Sequence, residues 1–227
     1  MKGLRRFPPS DQTARVTTTT DPAAVRFSTT LRERTMADHG DAEGSTLMRD
    51  LVAGTLDRAR MGDMLAQHLL VYRALETAGA ALADDPIVAP FLLPGLERTA
   101  ALEADVALLL GPDAVDSVVA RPGTAAYVAR LEAVGSWAGG FVAHHYTRYL
   151  GDLSGGQHIR RIVEKAYPDL AIRFYTFEAV ESPKALKDRY RQLLDEAPWA
   201  PDEQDRVIDE VKIAYALNQE MFASLEA

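Results

Sequence analysis

Residues Gly151 to Gln157 read GDLSGGQ, between two stretches of helical character, HHYTRYL before and HIRRIVEKAY after. Each glycine costs roughly 1 kcal/mol relative to alanine inside a helix, so three of them this close together ask for a use. Gly151 and Gly155 stand one turn apart on one face and leave bare backbone against which a planar ligand can pack. A plain kink or a loop between two helices is the other reading. No Gly-Lys-Ser/Thr ending follows and no strand precedes, so the stretch does not read as a phosphate loop. Asp152, beside the bare face, is either a helix cap or a carboxylate that holds water next to a ligand.

His39 is the second candidate. A lone histidine on a helix is commonly structural or on the surface, but this one has company. Glu43 follows four residues on, one helical turn away, where a carboxylate can bond the free nitrogen of a metal-bound imidazole and fix its tautomer. Arg32 precedes His39 by two turns, about 10.5 Å along the axis. That spacing suits a ligand held by metal at its centre and anionic at its rim. A third cluster is Lys187, Tyr190 and Arg191, whose two cations lie four apart; they form either a solvated face or a grip for carboxylates. The adjacent His144 and His145 cannot share a helix face, His68 sits among apolar residues and His158 beside basic ones, so all four are expected to be structural or on the surface. Without paired Glu-x-x-His motifs a dimetal carboxylate centre has no support, and without a nucleophile-base pair neither does a serine hydrolase.

These residues need helices to position them, and the chain supplies helices. Met61, Met64, Leu65, Leu69, Tyr72 and Leu75 recur at helical spacing behind a candidate N-cap, Asp57. Residues 96–110, 125–134, 184–194 and 202–225 also read as helical, with a helix over 31–43 that Ser28, Thr29 or Thr30 could cap. The prolines cluster between these windows. Only AIRFYTF, residues 171–177, has strand-like character, and one extended piece makes no sheet. The expectation is a single all-α domain over 31–227 with about eight helices, preceded by a disordered extension over 1–30 that is rich in proline, threonine and basic residues.

Composition narrows the chemistry further. The 227 residues carry a net charge of −8; five of the 25 basic and two of the 33 acidic residues fall in the first 30, leaving a domain with 20 against 31. A nonspecific nucleic-acid binder is therefore not expected. With no cysteine, disulfides, thiolate metal sites and cysteine nucleophiles are excluded. No apolar run reaches the roughly 20 residues of a spanning helix, and a soluble, cytoplasmic protein without a membrane anchor is expected.

The string YTRYLGDLSGGQ, Tyr146 to Gln157, resembles the distal-helix signature of the heme oxygenases. HGDAEGSTLM (His39 to Met48) is similar to that family's proximal-histidine segment. YRALE (Tyr72 to Glu76), KALKDRYR (Lys184 to Arg191) and AYALNQEMF (Ala214 to Phe222) then follow in the family's order, and together the matches cover about 31–225. The resemblance implies a multi-helical fold that holds heme between a proximal helix and a glycine-kinked distal helix. It implies His39 as the axial iron ligand with Glu43 on its other nitrogen, and Gly151 and Gly155 against the distal heme face, with Ser154 and Gly156 beside them. Asp152 would carry a catalytic water network assisted by Tyr72, Arg148 and Asn218. Arg32, Tyr146, Lys187 and Arg191 would take the propionates, and Met48 and Tyr215 would complete the pocket.

The implied reaction uses heme b as cofactor and substrate, cleaved at a meso carbon by O2 to biliverdin, carbon monoxide and ferrous iron, for heme degradation and iron acquisition. No flavin or nicotinamide fingerprint is visible, so electrons would come from an external reductase or ferredoxin. Three departures stand out. Gly40 directly follows the ligand histidine and is expected to loosen that helix, Met36 stands where a second cation is often found, and Arg32 replaces the usual lysine. The alternative is a noncatalytic heme carrier or sensor, against which the retained Asp152, Arg148 and Tyr72 argue, since storage needs no proton delivery.

Overall fold

The computed structural model describes residues 26–41 and 45–226, and among them every regular element is helical. In order these are α1 (Phe27–Asp41), α2 (Thr46–Ala53), α3 (Arg58–Ala81), a short 3-10 turn (Ala89–Phe91), α4 (Thr99–Leu110), α5 (Ala114–Ser117), α6 (Pro122–Val134) and α7 (Ala138–His145). Two widened π turns (Tyr146–Leu150 and Asp152–Gly156) lead into α8 (Gln157–Ala166), followed by α9 (Pro183–Glu196) and α10 (Pro201–Ala223). No described helix is long and apolar enough to cross a membrane.

Local chemistry accounts for most helix starts. Asp57 accepts from the backbone N–H groups of Ala59 (2.8 Å) and Arg60 (3.3 Å) and so opens α3, as its sequence position suggested. Ser45 opens α2 and Ser182 opens α9 in the same way, and Pro122, Pro183 and Pro201 occupy first-turn positions where the missing N–H costs nothing. The apolar stripe of α3, from Met61 through Leu75, is fully buried against α4 and α6.

α10 organises the other side by packing on α1, α6 and α7. A Cβ on Gly123 would lie 2.2 Å from the Glu220 carbonyl oxygen, so α6 and α10 cross at backbone contact and only glycine fits. Glu210 of α10 accepts from Arg130 of α6 (Nε, 2.8 Å) and from His144 of α7 (Nε2, 2.9 Å). Burial alone would raise the Glu210 pKa, but these two bonds override it and hold it at about 2.

Several expectations need correction. α1 begins at Phe27 rather than near residue 31, and Ser28, Thr29 and Thr30 are helical rather than caps. The first-turn N–H of Ser28 is instead satisfied by Asp195 Oδ1 of α9, 2.8 Å away. The extension expected over 1–30 therefore loses its last four residues to the helix, and its residues 1–25 lie outside the described ones. Ten α-helices stand among the described residues against about eight expected, the extra pieces including the four-residue α5. The strand-like 171–177 is a loop that buries Phe174, Tyr175 and Phe177. Asp105 of α4 accepts from Arg173 N (2.8 Å) and Phe174 N (2.7 Å), while Arg98 donates to Thr176 O (2.7 Å) and lies 3.9 Å from the Phe177 ring centroid. Side chains thus satisfy backbone groups that a partner strand would otherwise take. α1 also runs on through Gly40 to Asp41, so the expected loosening at Gly40 does not interrupt the helix.

Candidate active site

The GDLSGGQ stretch does not break into a loop. The backbone stays helical through both π turns, with Gly151 at φ −60°, ψ −52° and Gly156 at φ −58°, ψ −32°. Neither Gly151 nor Gly155 has a positive φ, and a Cβ added to either would meet nothing within 4 Å. These two glycines are therefore required neither by the backbone nor by a neighbouring element. They leave a bare strip of helix facing open space, a cradle that a side chain would fill.

Two cavities meet at this strip. One, of about 290 Å³, is lined by Gly151 and Ser154, by Arg32 and Met36 of α1, and by Tyr146, Arg191 and Tyr215. The other, of about 370 Å³, has Gly151, Asp152, Ser154, Gly155 and Gly156 on one side and Met48, Arg148, Tyr215 and Asn218 around it. Residues more than a hundred positions apart are thus gathered on one strip of backbone.

Behind the strip lies a polar cluster in which Tyr72 and Arg148 are buried and Asp152 and Asn218 partly so. The fully buried Tyr72 of α3 donates its hydroxyl to Asp152 Oδ2. The Arg148 guanidinium carbon stands 5.0 Å from the centroid of the Tyr72 ring, and its Nη1 donates to Asn218 Oδ1 at 2.5 Å. Burial raises the Asp152 pKa, against the pull of Arg148 and Tyr72. Tyr72 is pushed well above its usual value by burial and then by Asp152, so it stays a donor. Burial works against the Arg148 charge, and Tyr72 and Asp152 outweigh it. Arg148 Nε is buried without a partner among the described residues, an orphaned donor beside the cavity. Tyr149 packs at 5.5 Å on the Tyr72 ring and bonds Glu76, which also caps the start of α4 through Arg98 N.

The cationic rim is assembled from three elements. Arg32 and Arg191 line the first cavity with Tyr146, whose pKa burial raises while both arginines pull it back. Lys187 lines neither cavity, but its Nζ donates to Ser154 Oγ at 3.1 Å, tying α9 to the glycine strip. Met36, the departure noted in the sequence, sits on the wall of the first cavity, half of it exposed. His39 falls within α1, seven residues after Arg32, but its side chain and the whole of Glu43 lie outside the described residues.

Three of the four histidines set aside earlier are buried. His144 bonds Glu210, and His145 Nδ1 bonds the Tyr190 hydroxyl at 2.9 Å, while His158 is exposed. His68 is buried too, yet it lines the second cavity with Phe174 and Phe222. The sequence pointed to none of these three as cavity residues, because the two phenylalanines lie over a hundred residues from His68. The one available signal was that His68 precedes Tyr72 by a single turn of the same helix.

Comparison with known proteins fits this geometry. The heme oxygenase family model matches residues 25–224. The chain is 36% identical over 213 residues to heme oxygenase 1 of Rattus norvegicus, covering 91% of this chain and 74% of that protein. It is 34% identical over 206 residues to heme oxygenase 1 of Synechocystis, covering 89% and 86%. Among solved structures, cyanobacterial heme oxygenase-1 in complex with heme superposes with a TM-score of 0.83 at 34% identity, over 89% of this chain and 93% of that one. The heme oxygenase of Leptospira interrogans does so at 0.82 and 29% identity, over 88% and 99%.

Proposed function

The chain belongs to the heme oxygenase family, and from that premise we propose which of its residues bind heme and carry the oxidative cleavage. The observation that carries the assignment is the pair Gly151 and Gly155, helical in conformation and open to at least 4 Å, so that their use must lie in something packed against them. A flat macrocycle fits that strip, and the orphaned Arg148 donor and the cations at the opposite end fit its polar environment and its carboxylate rim. When bound, heme supplies both the iron at which O2 is reduced by electrons from an external reductase or ferredoxin and the meso carbon that is oxidised, giving biliverdin, carbon monoxide and ferrous iron.

The protein's part is to bind, orient and deliver protons. Arg32 and Arg191 take the propionates with Tyr146, which shares their cavity wall, and Lys187 acts from beside Ser154. Met48 and Tyr215 close the pocket, and Gly156 lines it beside the bare strip, where a Cβ would already touch Tyr175 at 3.4 Å. His39 would hold the iron and Glu43 would orient its imidazole; the support is register, since the turns of α1 before His39 supply Arg32, Thr35 and Met36 to the cavity wall. Asp152 keeps one carboxylate oxygen on Tyr72 and uses the other to hold water at the strip, so that a proton is available beside the backbone that leaves room for substrate. Arg148, fixed by Asn218 and the Tyr72 face, keeps that carboxylate in place.

The released iron makes iron acquisition the cellular role in this reading, with the cytoplasm as its setting. Supplying heme, a reductant and oxygen tests the reaction: loss of the Soret band with appearance of biliverdin is expected, and a heme complex that persists unchanged refutes it.

A further inference from the structure

His68 is a histidine packed between the rings of Phe174 and Phe222. It stands one turn before Tyr72 on α3, about 6 Å along the helix axis. Its ring meets Phe174 at 5.3 Å and Phe222 at 5.6 Å, and Phe174 packs in turn on Tyr72 at 5.6 Å. The residue is only 4% exposed. Nδ1 lies 2.8 Å from the Met64 carbonyl oxygen, and a carbonyl can only accept, so Nδ1 carries the proton and donates. Nε2 is thereby left as a bare acceptor, with no hydrogen-bond partner among the described residues, and the ring it belongs to lines the same cavity as Asp152, Arg148 and Asn218.

An acceptor that opens on a cavity calls for a partner there, and this cavity, apolar over most of its wall but carrying the polar side chains of Arg148, Asp152 and Asn218, is wide enough for water. We propose that His68 is a positioning residue of this site: its Nε2 fixes a water molecule in the cavity, next to the water held at Asp152, and so extends the proton-delivering network along α3. The proposal rests on the catalytic reading of Asp152. Burial holds the His68 pKa down at about 3, in keeping with a neutral imidazole that accepts over the whole working range. The neighbouring groups suit the arrangement, since Arg148 and the Asn218 amide are donors and Asp152 is an acceptor, and a water bonded to Nε2 has a second hydrogen to pass on.

The test combines crystals of the heme-free protein with turnover of the heme-loaded protein, for wild type, His68→Leu and His68→Gln. An ordered water within about 3.2 Å of Nε2 is expected in the wild type and lost in His68→Leu. Biliverdin formation in His68→Leu is expected to fall roughly two- to tenfold, the worth of one hydrogen bond, with heme affinity within about twofold of wild type. His68→Gln, which keeps an acceptor on a side chain of similar reach, should recover most of the rate. An empty Nε2 in well-ordered density, or a leucine variant that turns over at the wild-type rate, overturns the proposal. If the leucine variant does not fold, the wild-type water and the glutamine variant still decide it. Failure of the wild type itself to form biliverdin would instead sink the reading of Asp152.

Discussion

Replacing Gly151 and Gly155 together by alanine separates a glycine needed by the backbone from a glycine needed by a ligand. Both residues lack positive φ, Gly151 at φ −60°, ψ −52°, and neither new Cβ would meet an atom within 4 Å. In the heme-free protein each alanine therefore gains its helix propensity, roughly 1 kcal/mol per site, or about 2 kcal/mol for the pair. For a domain of this size that raises Tm by about 4 to 8 °C. In the presence of heme the sign reverses, because the two methyl groups occupy the strip on which the macrocycle is to lie. Overfilling of this kind costs about 1 to 3 kcal/mol, a roughly 5- to 150-fold loss of heme affinity. Calorimetry of the heme-free variant and spectral titration with heme read the two effects separately. A heme-free protein no more stable than wild type would show that the glycines serve the backbone. A more stable protein that binds heme unchanged would show that the ligand lies elsewhere.

The remaining expectations concern acid, charge and ligation. Asp152→Ala should leave heme bound while biliverdin formation drops by about 10²- to 10⁴-fold, and the stranded Tyr72 hydroxyl should cost about 1 to 3 kcal/mol of stability; undiminished turnover would refute the role. His39→Ala should abolish normal axial ligation while the far-ultraviolet spectrum of the fold persists, and unchanged heme spectra would move the ligand to another residue. His68 and His145 are both held neutral by burial, with pKa values of about 3. Between that value and 6.5 the unfolded chain binds more protons than the folded one, so stability falls as pH falls, by about 2 kcal/mol per histidine at pH 5; a flat stability curve from pH 7 to 5 would contradict it. Lys187→Glu with Arg191→Glu should weaken heme binding and change which meso carbon is cut, which product chromatography resolves.

How much of this was legible in the residues depended on how local the cause is. Helices α3, α6, α9 and α10 announced themselves through Asp57 and through the prolines that bound their windows, whose effects act within a turn of their own positions. The glycine strip was legible for the same reason, since Gly151, Asp152 and Gly155 share one short segment. The true start of α1 was not, because the group that satisfies Ser28 N–H is Asp195, 167 residues away. AIRFYTF has strand-forming residue types, yet Asp105 and Arg98 claim its backbone groups. The widening into π turns left no mark that spacing alone could reveal. His68 reads as an apolar-core residue until Phe174 and Phe222 arrive from distant segments to make the core beside it a cavity wall.

The bond from Ser28 to Asp195 also has a mechanical side. It joins the beginning of α1 to the end of α9, and the Phe27 ring packs at 6.1 Å on Trp199 just beyond. Arg32 rides on the first of these helices and Arg191 on the second, so the two guanidinium groups are mounted on arms riveted at one end. The gap between them is governed by a joint about one helical turn from each of the two arginines, so the spacing of the cationic grip is fixed from outside the pocket.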